Sequence, residues 1–403
     1  HSLVIDRVWL HGHPTLGMKR GVYLNSRPTD IVNSYFEDFF HFGDSQTILG
    51  TNGPGPYRIR NNHLEAAGEN IMFGGEDPRI SGLVPSDIEI YGNYVVKDVA
   101  WRNAILATPD RPSASASSTS GSLSSGPPYL KVAAIINPRG TTEWSLPPAE
   151  ASARVSWGKS VRLTWNSVRG ASKYRVYRGT SSNGQSRYTE VSGTSITYTG
   201  SGESSGTPPT KASKWTVKNL LELKNGRRVT IDSNLFEHNW VAAQQGHAIL
   251  LTPNQRSGDA YWTIVRDIAF TNNILRHSAG AIAVAGHDHD QPEGQTVNVT
   301  IRNNLFIDLS SKWGSSGRGL QFTDGPADIV VDHNTFHQEG PILEVEGAPI
   351  PDFLFTNNIA PHNDYGIKGR GSSSGTDTLR DYMPGYVFRG NVIAGADSDL
   401  YPS

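Results

Sequence analysis

One phrase recurs along this chain and restricts its fold more than any other feature: apolar, any, apolar, any, polar, Asn, any, apolar. It reads Tyr57-Arg-Ile-Arg-Asn-Asn62-His-Leu64, Asp87-Ile-Glu-Ile-Tyr-Gly-Asn93-Tyr94 and Val229-Thr-Ile-Asp-Ser-Asn234-Leu-Phe236, and returns at Asn273, Asn304, Asn334, Asn358 and Asn391. Val8 and Tyr35 take the Asn slot in two earlier copies, which makes ten slots. Successive slots are separated by 27, 27, 31, 141, 39, 31, 30, 24 and 33 residues. A repeat of this size signifies stacked supersecondary units.

Within a unit, apolar and polar residues alternate, a Gly-rich corner follows, and a second short strand comes next, as in Gly280-Ala-Ile-Ala-Val-Ala285. Such a coil cannot bury its inner face alone. Neighbouring coils therefore stack, and each strand pairs in parallel with its equivalents above and below. An Asn at one turn position then repeats as a ladder, its amide bonding the next amide or local backbone. Composition agrees: 42 Gly and 24 Pro with 36% apolar residues suit short strands joined by turns, without long helices.

On these residues the chain resembles the right-handed parallel β-helix proteins, the architecture of pectate lyases, polygalacturonases and many phage tailspikes. The resemblance covers roughly residues 1–100 and 213–403. It implies an all-β fold of about ten coils, and a glycan as the expected partner. Neither the pectate lyase calcium carboxylates nor the polygalacturonase aspartate motifs match this sequence, so no family residues are carried over.

The 141-residue interval is the exception. Subtracting one coil of ~31 residues leaves ~110 that do not belong to the repeat. Linker composition brackets them, from Pro109-Asp-Arg-Pro112 with the Ser-rich run to Gly121, and from Gly200 to Pro209. Between these, Val161-Arg-Leu-Thr-Trp165 and Ala171-Ser-Lys-Tyr-Arg-Val-Tyr-Arg-Gly179 resemble the second and third strands of a fibronectin type III module. A hairpin of Tyr129–Ile136 with Thr142–Pro147 resembles its last two strands but comes first, so a permuted or incomplete sandwich is expected. The domains read as 1–104 (β-helix), 105–212 (inserted antiparallel sandwich with linkers) and 213–403 (β-helix).

Charge excludes some partners. Lys plus Arg number 36 against 38 Asp plus Glu, so no global field favours nucleic acid or an anionic membrane. No apolar run approaches the ~20 residues that span a bilayer, so membrane insertion is not expected. With no cysteine, disulfides, thiolate metal sites and Cys nucleophiles are excluded. His1-Ser2-Leu3 reads as mid-strand, so a leader and further coils are expected before it, and a secreted or cell-surface location with them.

Inner side chains of such a helix are packed, so chemistry is expected on an outward face. Past each slot, the outward positions of the second strand run Met72 and Glu76, Glu222 and Lys224, Thr252, Ala285 and His287, Gln321 and Thr323, Glu344 and Glu346, Lys368 and Arg370. Adjacent coils lie ~4.8 Å apart, which puts equivalent side chains at retaining-carboxylate spacing one coil apart and at inverting spacing two coils apart. Glu222, Lys224, His287, Asp324 and Glu346 are the catalytic candidates for a polysaccharide hydrolase or lyase. Glu76, Glu344, Lys368, Arg370 and Trp240 are candidate substrate contacts. The run His287-Asp288-His289-Asp290 is either a solvated turn or a cluster for a divalent cation such as calcium or zinc. His11, His238, His277, His337 and His362 follow their slots by three or four residues, with Asp308 in one coil, as a structural ladder or as a proton or metal row. A non-catalytic adhesin or fibre segment is the competing reading.

Overall fold

The computed structural model of the chain describes residues 3–137, 141–254, 256–288 and 294–402. It divides into two units, His1–Val99 with Thr216–Ser403, and Ala100–Trp215.

The first unit is a parallel β-helix. Its leading strands, from Leu3–Asp6 to Val387–Arg389, form a ten-stranded sheet. The middle strands, from Trp9–His11 to Val392–Ala394, form a second sheet of ten, and the trailing strands, from Arg20–Leu24 to Ile367–Gly369, a third of nine. Pairing is parallel from coil to coil. In the leading sheet the register aligns Ile31, Ile59, Ile90, Ile231, Phe270, Ile301, Val331 and Phe355 in one inward column, all fully buried. Each such side chain contributes about 1.5–3 kcal/mol by leaving water, which is why the alternating pattern holds every coil in phase.

The turn between leading and middle strands explains the Asn doublets. The residue before each slot is left-handed, with φ of 53–68° at Arg7, Asn33, Asn61, Gly92, Ser233, Asn272, Asn303, His333, Asn357 and Gly390. Gly and Asn adopt that region at least cost, so they dominate there. The slot Asn itself is buried. From Asn62 to Asn391 the backbone N–H and Nδ2 of each Asn both donate to the Oδ1 of the next, at 2.9–3.2 Å. Nδ2 also donates backwards to a carbonyl of the previous coil, such as Ile31 or Ile59.

The register corrects one slot. Tyr35 pairs with Trp9 and His63, so the residue aligned with Asn62 in the second coil is Ser34, not Tyr35. Ser34 Oγ accepts the Val8 N–H, and the Ser34 N–H donates to Asn62 Oδ1. The left-handed Asn33 sets the turn one residue earlier than the apolar spacing suggests.

The second unit branches from the fourth coil, between its middle strand Tyr94–Val96 and its trailing strand Leu221–Leu223. It is antiparallel. Ser113–Ser117, Ser160–Thr164 and Ser195–Tyr198 form one sheet; Glu143–Trp144, Tyr129–Ile136, Lys173–Gly179, Gln185–Val191 and Ser204–Ser205 form the other, in that order. Its core packs Leu130, Val161, Leu163 and Val176 with Trp165, whose ring meets Tyr174 edge-on at 5.4 Å. Among the described residues one α-helix occurs, Thr376–Tyr382, which buries Thr378 and Leu379 beside the last trailing strand.

Candidate functional site: a groove on the trailing sheet

Two outward columns run along the trailing sheet. Glu222, Leu250, Ala283, Gln321, Glu344 and Lys368 align in the first, and Ala285, Thr323 and Glu346 in the second, with Arg370 next. Over coils five to nine these columns floor a groove of about 670 Å³. Small side chains at Ala283, Ala285, Thr252 and Thr323 leave the floor low. His287, Asp288, Asp324, Glu346 and Arg370 stand along one side, and Asn219, Gln244 and His247 close one end.

Local backbone chemistry positions the carboxylates. Asp324 is left-handed (φ 57°), and its N–H donates to the Glu346 carbonyl at 3.1 Å. A side chain at Gly347 would collide with the Asp324 carboxylate, and one at Gly286 with the Asp324 carbonyl, so two glycines make room for that residue. Glu346 meets Arg370 Nη1 at 3.1 Å in an exposed pair. Asp288 accepts from Asn254 Nδ2.

Five candidates read from the sequence thus share one groove, His287 with Asp288, Asp324, Glu346 and Arg370, on four successive coils. Glu344 and Lys368 continue the stripe beside it, with Arg318 Nη1 2.5 Å from Glu344 and Lys368 Nζ donating to the Ser372 carbonyl. Others stand apart. Glu222 keeps its place in the column but is fully buried, with Lys224 Nζ 3.4 Å away and Glu69 beside it. Burial pushes its carboxyl up to about 7, partly offset by Lys224. Glu76 accepts from Tyr23 OH at 2.7 Å, several coils away, and Trp240 is buried, so its ring presents no open platform. Of the proposed metal run, His289 and Asp290 lie outside the described residues.

Sequence reasoning missed the closed end of the groove. Asn219 and His247 are buried; Asn219 Nδ2 donates to the His247 carbonyl at 2.8 Å, while Asn219 Oδ1 and His247 Nε2 have no hydrogen-bond partner among the described residues. Burial, reinforced by Arg318, pushes the His247 imidazole down to about 3, so the ring is neutral. Asn219 sits at a coil corner and His247 opens the trailing strand His247–Leu251, so neither belongs to the outward alternation that marks the stripe.

The histidine row shrinks to a pair. His238 and His277 stack one coil apart, ring centroids 5.4 Å and planes 22° apart. His11 instead pairs with Glu37, and His337 loses the register because coil seven carries Ile307 and Asp308 opposite that single residue. Asp308 joins the pair, 2.6 Å from His277 Nδ1.

No family model matches the chain, and no curated protein matches it. Among solved structures it is similar to mutant tailspike proteins of E. coli bacteriophage HK620 in complex with a pentasaccharide, at 10% identity and TM-scores of 0.32 and 0.26. A third such tailspike, in complex with a hexasaccharide, has 11% identity and a TM-score of 0.26. The matches cover 98% of this chain but 60% of each tailspike chain, so it spans about 60% of their length.

Proposed function

We propose that this protein handles an extracellular polysaccharide along the trailing-sheet groove, as a hydrolase or lyase with Asp324 and Glu346 as its acid and base pair. The observation that carries the reading is the convergence of His287, Asp324, Glu346 and Arg370 over a floor of small side chains. A long, low, polar-walled groove suits a chain of hydroxyl-bearing rings. Glu346 aligns with Thr323, so Asp324 comes from the adjacent coil one residue out of register; a one-coil step is ~4.8 Å, and the pair falls within the range of separations at which two carboxyls serve glycoside hydrolysis, roughly 5–9.5 Å. His287 supplies a further proton carrier, and Arg370 a contact for sugar oxygens. The antiparallel unit, with its Trp165–Tyr174 contact and two sheets, is read as a fibronectin type III-like module that spaces or recruits.

Binding without cleavage is the second reading, favoured by the engagement of Glu346 with Arg370 and of Asp288 with Asn254. One experiment separates the two. The purified protein is screened against plant and bacterial polysaccharides for new reducing ends, for unsaturated uronate absorbance and for retardation in glycan-containing gels. Cleavage that falls at least about 100-fold in Asp324→Asn and Glu346→Gln, with retardation kept, supports the enzyme. Retardation alone supports the binder. Silence in all three assays overturns both.

A further inference from the structure

We infer that Glu237, His238 and His277, on the middle sheet, form a binding site for a divalent transition-metal ion of the zinc type. Glu237 and His238 belong to the strand Leu235–Asn239, and His277 to Ile274–Ser278 in the next coil. One donor atom from each residue lies within 4.8 Å of the others.

The distances suit the ion. Bonds of about 2.0–2.1 Å in tetrahedral geometry place ligand atoms roughly 3.4 Å apart. Glu237 Oε1 lies 3.7 Å from His277 Nε2 and 3.9 Å from His238 Nε2, a few tenths of an ångström from that spacing, and the two imidazole donors lie within 4.8 Å of each other, so rotation of the partly exposed rings closes the set.

The His277 ring is also oriented from behind, which is the second, independent observation. Asp308 Oδ2 holds His277 Nδ1 at 2.6 Å. A metal-ligating histidine characteristically has its other nitrogen tied to a carboxylate or carbonyl in this way. Asp308 is braced in turn by Ser310 Oγ at 2.9 Å and Lys312 Nζ at 2.6 Å, and the Trp313 ring lies 5.5 and 6.0 Å from the two imidazoles. His238 and His277 have side-chain exposures of 25% and 32%, so an ion can enter and a water can fill a fourth position.

The competing account is an ion-pair network, since Arg276 Nε lies 2.7 Å from Glu237 Oε1 and Tyr94 OH donates to Oε2. Arg276 is 39% exposed and can swing into solvent, while Tyr94 leaves Oε1 open to the metal. An ion here would clamp coil five to coil six.

The full-length, metal-stripped protein decides between these accounts by titration with cobalt(II), followed by zinc. The expected result is one cobalt with the intense visible absorption of a four-coordinate site, displaced by zinc. His277→Ala removes the band, and Asp308→Asn weakens the affinity by about 10- to 100-fold. The double variant His287→Ala with His289→Ala retains the band, because it removes only the other imidazole run. A wild-type titration without the band overturns the proposal whatever the variants do, and so does a band lost in the His287/His289 variant or kept in a folded His277→Ala protein.

Discussion

Asn93 donates both its backbone N–H and its Nδ2 to Oδ1 of Asn234, at 2.9 and 3.0 Å, across 141 residues of sequence. The ladder is thereby continuous over the insertion, and the fourth and fifth coils stack as though nothing separated them. Asn234→Ala removes both bonds from Asn93, leaving its buried N–H without an acceptor and its Nδ2 with the Ile59 carbonyl alone, and removes the Asn234 Nδ2 bond to the Ile90 carbonyl. At about 1–3 kcal/mol for each stranded group, the expected loss is roughly 3 kcal/mol. Urea unfolding of both proteins measures it, and an unchanged midpoint would show that the ladder is only a packing feature.

The ladder stops two coils short of the first strand, at Asn62. Ser34 stands where an Asn could extend it, below Asn62 and above Val8. Ser34→Asn should therefore stabilise the first coils by up to about 1 kcal/mol, one additional buried hydrogen bond. Hydrogen exchange at the Val8 and Asn62 amides reports the effect locally, and faster exchange at either site contradicts it.

Lys97 is fully buried, and its ammonium reaches the carbonyls of Ala66, Ala67, Gly68 and Asn219 together with Asn70 Oδ1. It serves as a hydrogen-bonding hub at a coil corner, and burial pushes its amine down to about 7. Lys97→Met keeps the volume but removes a donor from all of these acceptors, of which the Ala67 carbonyl keeps the Lys218 N–H, so a loss of about 3 kcal/mol is expected. Thermal unfolding should register this as a clear fall in midpoint, while a rise would mean that the buried charge is the larger burden.

Glu222 makes stability depend on pH. Burial raises its carboxyl from 4.5 to about 7, so between those values the folded protein holds a proton that the unfolded chain releases. Its contribution is complete below about 4.5 and is lost as pH rises through 7. Glu222→Gln should flatten this part of the stability curve and gain most above neutrality. Parallel denaturation series from pH 4 to 8 test it; identical slopes in the two proteins would remove Glu222 as the source.

Much of the architecture was legible because stacking is encoded residue by residue. An alternating strand, a left-handed residue and a buried Asn are local requirements, so Asn272-Asn273 or Gly92-Asn93 declares a coil without knowledge of its neighbours. The groove was partly legible for the same reason: Glu344 and Glu346 are both outward because they alternate with Leu343 and Val345. Alternation does not report solvent, however. Glu222 faces outward from its strand and is nevertheless covered, and Trp240 is buried at a corner whose conformation follows no period.

By itself, then, the sequence determined the repeat, its inward columns, the ladder from Asn62 onward and the interruption after Asn93. Only the tertiary structure decided that Ser34 takes the second slot, that His277 meets Asp308 while His337 does not, and that Asn219 and His247 close the groove. The physical reason is that corners of unequal length absorb the variation between slots. Side chains near those corners are brought together by how adjacent coils settle on one another, which no local pattern records.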